Sequence, residues 1–378
     1  MQDKYSIISL MIFLLGFVIT VALLYYANAR SVRQVDKLVS RNGTVLQIDK
    51  RLLIYILAFI PLWILISFRD KSVGIDSYGT YYRIFRFLQY GEYATHKNIV
   101  NAEMGYVILN KLCLMINSSY RTILIITATI TWFLYYKFII ENSNNSVVSI
   151  AVLFASFSYF HAFNGIRQFM AMAIALQGMK YIYERKFLRF LVIVVFAMTF
   201  HKSAILLLAL YFLYGVRVRI WWVITSILGS VVVMRMGRGI LAKVLGNSNY
   251  GKIFQSRAAY SSGFAWTDFF CNTFLLICGL IVLVQEEEID KKFELNIVLQ
   301  LMSVIIAVNS NLIPIPYRLL WYTNINTMIY VPQLTEKIKL GTNRLIMKIG
   351  IAGMYLLYFS YYWITGVDDV QRYIFWRS

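Results

Sequence analysis

The sequence predicts an all-α, polytopic integral membrane protein of about twelve transmembrane helices. Three observations lead there. The chain is 59% hydrophobic and only 15% charged, with a mean hydropathy of +0.62, whereas soluble domains carry about 25% charged residues. Its apolar runs recur at the length of a bilayer crossing, about 20 residues, which a soluble core of this composition has no reason to do. Its basic residues gather between those runs, as they do in loops kept on the cytoplasmic side. The formal net charge of +19 would point to nucleic acid in a soluble protein. In a membrane protein it belongs to loops and headgroups, so no nucleic-acid partner is expected.

Residues 5–27 read as the first span. No small-residue cleavage site follows them, so a retained helix is expected rather than a signal peptide. Residues 28–51 carry Arg30, Arg33, Lys37, Arg41, Lys50 and Arg51 and are assigned to the cytoplasm. The second span, 52–68, then delivers residues 69–117 to the outside as a polar, aromatic loop with a helix at 103–116. That helix is too short to cross and is read as re-entrant or interfacial. Spans follow at 120–140, 146–162 and 165–183.

Segment 187–216 is long for one crossing and short for two. A single helix would put Arg217 and Arg219 outside. A hairpin turning at His201-Lys202-Ser203 keeps them inside and is favoured. Further spans are placed at 220–234, 265–284, 293–309, 318–333 and 345–364, with a second extracytoplasmic segment at 235–264. Both termini then lie outside, and the whole is one multi-pass domain. Cys113, Cys271 and Cys278 sit in apolar segments and read as packing residues.

This topology leaves an unusual excess of cations outside: Arg69, Lys71, Arg83, Arg86, Arg167, Lys202, Arg235, Arg238, Lys243, Lys252, Arg257 and Arg318, against chiefly Asp70, Asp76, Glu92, Glu103 and Asp268. Long external segments often escape the positive-inside rule, but Arg forks also bind phosphate. Arg167 opens an apolar helix behind Asn164 and Gly165. With Asn164 as cap, that helix would point free N–H groups and its positive end at an anion. His201 and Lys202 interrupt the next apolar run without a loop around them, and charges at such positions are functional candidates by default.

His201 is placed as general base or hydrogen-bond donor to pyrophosphate, with Asp76 and Glu103 as the other candidate catalytic groups. Arg167, Lys202, Arg69 and Arg318 are candidate pyrophosphate ligands. Tyr78 and Tyr82 could stack on sugars, although Tyr is also the ordinary membrane-interface residue. His161 reads as a packed, hydrogen-bonded histidine. GNSNYGKI at 246–253 resembles a phosphate-binding loop but has Ile253 where Ser or Thr is needed. No Asp-x-Asp and no His/carboxylate cluster occurs in the sequence, so neither a metal nor another cofactor is expected.

Four blocks in order, RDKSVGIDSYGTYY (69–82), EMGYVILN (103–110), FNGIRQFMAMAIALQGMKYIYERK (163–186) and FHKSAILLLALY (200–211), resemble the EpsG-like family of bacterial polysaccharide polymerases, the Wzy-type proteins of O-antigen, capsule and exopolysaccharide assembly. Asp76, Glu103, Arg167, Gln168 and His201 are the matching polar positions. The resemblance implies a GT-C-like membrane glycosyltransferase with an extracytoplasmic cavity in the bacterial inner membrane. It implies transfer of a growing glycan from undecaprenyl pyrophosphate to a new lipid-linked repeat unit, with Gln168 near sugar. Membrane lipids and a chain-length regulator protein are the other expected partners. Two rivals share the substrate: an O-antigen ligase or single-step transferase, and a lipid-linked oligosaccharide flippase.

Overall fold

The computed structural model describes residues 2–29, 35–39, 45–96, 100–245, 263–286, 288–338 and 341–376. The described chain is helical apart from one antiparallel hairpin, β1 (Val35–Val39) and β2 (Val45–Asp49), in which Val35 pairs with Asp49 and Val39 with Val45. That hairpin lies in a segment expected to be plain loop. Six helices among the described residues are long and apolar enough to cross a membrane, or seven if one bent pair is a single span. Shorter apolar helices account for much of the remaining hydrophobic sequence. The protein is a multi-pass membrane protein.

The chain divides into two compact units: residues 1–179, 188–205 and 361–378, and residues 180–187 and 206–360. The first unit opens with α1 (Gln2–Asn28) and α2 (Lys50–Ser67), which pack on each other. A π-helical turn (Ser77–Tyr82) runs into α3 (Arg83–Gln89), and α4 (Met104–Ile116) leads to α5 (Tyr120–Asn142). α5 begins where Ser119 caps it, its hydroxyl accepting the Arg121 N–H at 3.3 Å. α6 (Ser146–Ala155) is capped in the same way by Asn145, whose side chain accepts from Val148 N at 3.2 Å.

The span expected at 146–162 breaks after α6. α7 (Ser158–Asn164) departs at 54°, with Phe157 at φ 62° between them. A left-handed Phe is strained. It is held by complete burial and by rings of Phe160 at 4.6 Å and Tyr362 at 5.5 Å. α8 (Ile166–Leu176) follows at once, with Gly165 between. The core of this unit is aromatic: Phe13 meets Tyr159, Phe160, Phe163, Trp363 and Tyr373 edge to face at 4.9–6.5 Å, the preferred geometry of paired rings.

α9 (Met179–Tyr183) opens the stretch that enters the second unit, and α10 (Phe187–Met198) returns to the first. The apolar run then stops at Met198 and restarts as a 3₁₀ turn (Lys202–Leu208) and α11 (Ala209–Leu213). Arg185 donates to the Tyr211 and Tyr214 carbonyls, and the rings of Phe187 and Tyr211 are 5.0 Å apart. The base of the first leg therefore lies beside the base of the second. This is the expected hairpin, turning at 199–202.

The second unit continues with α12 (Ile220–Leu245), α13 (Trp266–Gln285), α14 (Lys291–Val308), α15 (Pro316–Asn324), α16 (Thr327–Lys337) and α17 (Gly341–Thr365), whose last turn belongs to the first unit. The external segment expected to start at 235 begins inside α12, since residues 235–245 are helical. Residues 246–262, with the phosphate-loop look-alike, lie outside the described residues.

Candidate functional site

The sequence blocks at 69–82, 103–110, 163–186 and 200–211 contribute residues that meet around the start of α8, all within the first unit. Gly105 N donates to the Thr199 carbonyl at 2.8 Å, joining the first turn of α4 to the tip of the hairpin. The approach is so close that a Cβ on Gly105 would lie 2.8 Å from that carbonyl oxygen, so only glycine fits here. The contact carries Glu103, the residue before α4, under Arg167 and against His201. Arg167 Nη1 donates to Glu103 Oε2 at 2.5 Å and to the Asn101 carbonyl at 3.2 Å. Its guanidinium also lies 5.7 and 5.9 Å from the rings of Tyr81 and Tyr106. Glu103 Oε1 accepts the Lys202 backbone N–H at 3.2 Å and sits 3.5 Å from His201 Nδ1.

Side-chain exposure is 14% for Arg167, 13% for Glu103 and 18% for His201, so the triad is recessed but not sealed. Burial alone would raise the Glu103 carboxyl. The neighbouring His201 and then the Arg167 charge outweigh it and bring the pKa down to about 2. One donor in this recess is left over: Arg167 Nε is buried without a hydrogen-bond partner, whereas His201 Nδ1 faces Glu103 Oε1. A recess offering an unpaired guanidinium N–H suits an anion.

Asn164 does not cap α8 as expected. It ends α7, and Gly165 stands at the cap position without a side-chain bond. The Asn164 amide is used elsewhere. Its Oδ1 accepts Asp76 N at 3.1 Å, and its Nδ2 donates to Asp368 Oδ1 at 2.6 Å. Asp368 Oδ2 in turn lies 2.6 Å from His161 Nδ1, with side chains 5% and 6% exposed. His161 is thus the packed, bonded histidine the sequence implied. Asp368, which follows the last expected span, is 4% exposed and part of the core. The rest of that segment is tied down as well: Tyr373 N donates to Ser9 Oγ, Trp376 N to the Phe68 carbonyl, and Asp70 N to the Ile374 carbonyl.

Arg69 has a different place from the one expected of a pyrophosphate ligand. It is 2% exposed, donates from Nη2 to the Phe163 carbonyl at 2.8 Å and lies 4.4 Å from the Phe163 ring. Burial pushes its pKa down to about 10, so it stays charged at any working pH. With Gly74 at φ +97° against Asn164 and Phe163, it pins loop 69–76 to the end of α7. Gln168 is 3% exposed and faces the interior rather than an open site. Lys202 is exposed beside the triad, and Asp76 is half-buried at the start of the π-helical turn. Arg318 is exposed on the first turn of α15, in the second unit.

Tyr78 and Tyr82 stack on each other at 5.3 Å and lie on the other side of the turn, where Lys71 Nζ sits 4.8 Å from the Tyr82 ring. Near them is an open cavity of about 570 Å³ lined by Lys71, Asn117, Ser119, Arg121, Thr122, Ile125 and Trp376. Sequence reading singled out neither Arg121 nor Trp376. Arg121 carries the same signal as Arg167, a lone Arg at the start of an apolar helix.

No solved structure and no curated protein matches this chain. The model of the EpsG family matches residues 52–375, nearly the whole chain and well beyond the blocks at 69–211 that carried the resemblance.

Proposed function

We propose that this chain, which belongs to the EpsG family, is a Wzy-like polysaccharide polymerase: a GT-C-like glycosyltransferase of the bacterial cytoplasmic membrane with its site on the extracytoplasmic face. In this reading it moves a growing glycan from undecaprenyl pyrophosphate to the terminal sugar of a new lipid-linked repeat unit. A chain-length regulator is its natural companion. The observation that carries the reading is the meeting of Arg167, Glu103 and His201 in one recess at the start of α8.

The acceptor hydroxyl attacks the anomeric carbon. The bond from that carbon to the pyrophosphate oxygen breaks, and its electron pair leaves on the pyrophosphate. Arg167, with Nε free, and the exposed Lys202 meet that charge as it develops, without calling on a metal. The acceptor proton goes to His201, whose side chain is 18% exposed. Glu103, with its pKa held near 2, is too weak a base for this step. It sets the angle of Arg167 and holds the hairpin tip through the Lys202 N–H. Asp76 remains the other group able to take the proton. Arg69 acts as a strut for the loop. Arg318 belongs to the second unit and is given no role in this step. Both substrates are tethered in the same bilayer, which restricts their approach and favours reaction.

Arg167→Ala tests this. The variant inserts normally, and surface polysaccharide collapses on a gel from a ladder to single repeats. Arg167→Lys keeps a charge but loses the fork and is expected to give short chains. Undiminished long chains from Arg167→Ala remove Arg167 from the site. Unattached long chains on deletion of the gene would mean a ligase instead. Polymer made by purified protein from lipid-linked repeats, with no gradient, separates an enzyme from a flippase.

A further inference from the structure

The cavity between loop 69–76 and the start of α5 is not part of the Arg167 recess, and the recess chemistry does not use it. Two cations line it, Lys71 and Arg121. Among the described residues neither has a carboxylate within ion-pair reach. Each is held instead over aromatic faces: Lys71 Nζ at 4.8 and 5.9 Å from Tyr82 and Tyr78, and the Arg121 guanidinium 5.1 Å from Phe68. Arg121 Nε is buried with no hydrogen-bond partner. Around the cations stand the Asn117 amide, the Ser119 and Thr122 hydroxyls, the Trp376 indole and an apolar floor at Ile125.

That set has a recognisable chemistry. The Trp376 indole suits the flat apolar face of a pyranose. Short hydroxyls and an amide suit its rim. Two unneutralised cations suit one negative charge on it. A volume of about 570 Å³ fits a disaccharide rather than a bare ion. The turn at 77–82 separates the cavity from the recess, with Tyr81 beside Arg167 and its neighbour Tyr82 beside Lys71. Glu103 and Asn117 stand at opposite ends of α4, a helix of 13 residues and so about 20 Å long.

We propose that this cavity is a glycan subsite selective for an acidic sugar, holding the saccharide one or more residues away from the bond being made. Lys71 and Arg121 bind its carboxylate, and Trp376 binds its ring, while the Tyr78–Tyr82 stack holds Lys71 in place. The proposal rests on the polymerase reading for its purpose, but the subsite itself can be tested apart from it.

The full chain, purified in detergent, is titrated calorimetrically with a glucuronosyl-glucose disaccharide and with cellobiose. The acidic disaccharide is expected to bind at least about tenfold more tightly at low salt, the worth of one charge-assisted hydrogen bond. Its advantage shrinks as salt rises. Lys71→Gln and Arg121→Gln each erase most of the preference, and Arg121→Lys restores part of it. Trp376→Ala weakens both sugars alike. Arg167→Ala binds the probe as the wild type does, so a failed ladder assay and a failed subsite are read separately. Equal binding of the two sugars overturns the proposal. So does displacement of the probe by inorganic phosphate or by phosphatidylglycerol at matched concentration, which would make the cavity an anion or headgroup site.

Discussion

Glu103 is the residue whose removal reports most directly on the recess. Its carboxyl pKa falls from 4.5 to about 2 in the folded protein. A folded-state pKa below the unfolded one means stability that is complete above the unfolded value and is lost as pH falls toward the folded one. The difference corresponds to about 3 kcal/mol at neutral pH, and roughly 2 kcal/mol of that is gone by pH 3. The group is well shielded, 13% exposed, so solvent screening takes little of this away. Glu103→Gln keeps the shape but only one acceptor, so it can accept from Arg167 or from the Lys202 N–H but not from both, and it cannot titrate. Unfolding of both proteins in micelles, followed by tryptophan fluorescence from pH 7 to pH 3, gives the comparison. The wild type is expected to be more stable at pH 7 and to lose that margin on acidification, so that the two curves converge. Parallel curves over the whole range would refute the coupling of Glu103 to Arg167 and His201.

Four other outcomes follow from the packing. Gly105→Ala places a methyl against the Thr199 carbonyl and is expected to cost about 1–3 kcal/mol. It also lowers activity more than stability alone explains, because Glu103 moves off His201; a melt paired with a chain-length gel checks this. Asp368→Ala strips His161 and Asn164 of a shared buried partner and is expected to destabilise by about 3 kcal/mol, read as a lower melting temperature in detergent. Arg69→Met, by contrast, replaces a buried cation that has no carboxylate and is expected to stay within about 1 kcal/mol of the wild type, with chain lengthening retained. A well-folded Arg69→Met that makes no polymer would return Arg69 to the binding site. Arg167→Ala loses the ladder while the protein still inserts, as the gel assay described above reads.

The length of the apolar runs located most helices, because each must satisfy its own backbone in lipid, but of about twelve spans expected only six of the described helices, or seven with one bent pair, are long and apolar enough to cross. It failed where backbone geometry, not composition, decides. The break at Phe157 is invisible in an apolar run, since no Gly or Pro marks it and only ring packing around a left-handed residue makes it tolerable. Helix α12 runs on through Arg235 to Leu245 because Arg and Lys are good helix formers even where they end a hydropathy window. The strands at 35–39 and 45–49 were hidden because they fall among the basic residues of segment 28–51, which topology arguments count before they ask about strands.

The site was legible through its charges and misread through its partners. An Arg or His in an apolar run is costly, and that rule brought Arg167 and His201 onto one short list, while Glu103 entered it as a carboxylate of the external loop that matches the family's polar positions. What a single sequence does not contain is the acid that each cation chooses. Asp368 follows the last span, yet its hydrogen-bond partners Asn164 and His161 lie 204 and 207 residues back in the chain. Arg69 looked like a ligand because nothing in the sequence says that a cation can be closed in over Phe163 without a carboxylate. The same reasoning turns attention to Arg121. It opens an apolar helix as Arg167 does, but no acid answers it among the described residues. Of the two, the cation still lacking a counter-charge has the stronger physical claim on an anionic ligand.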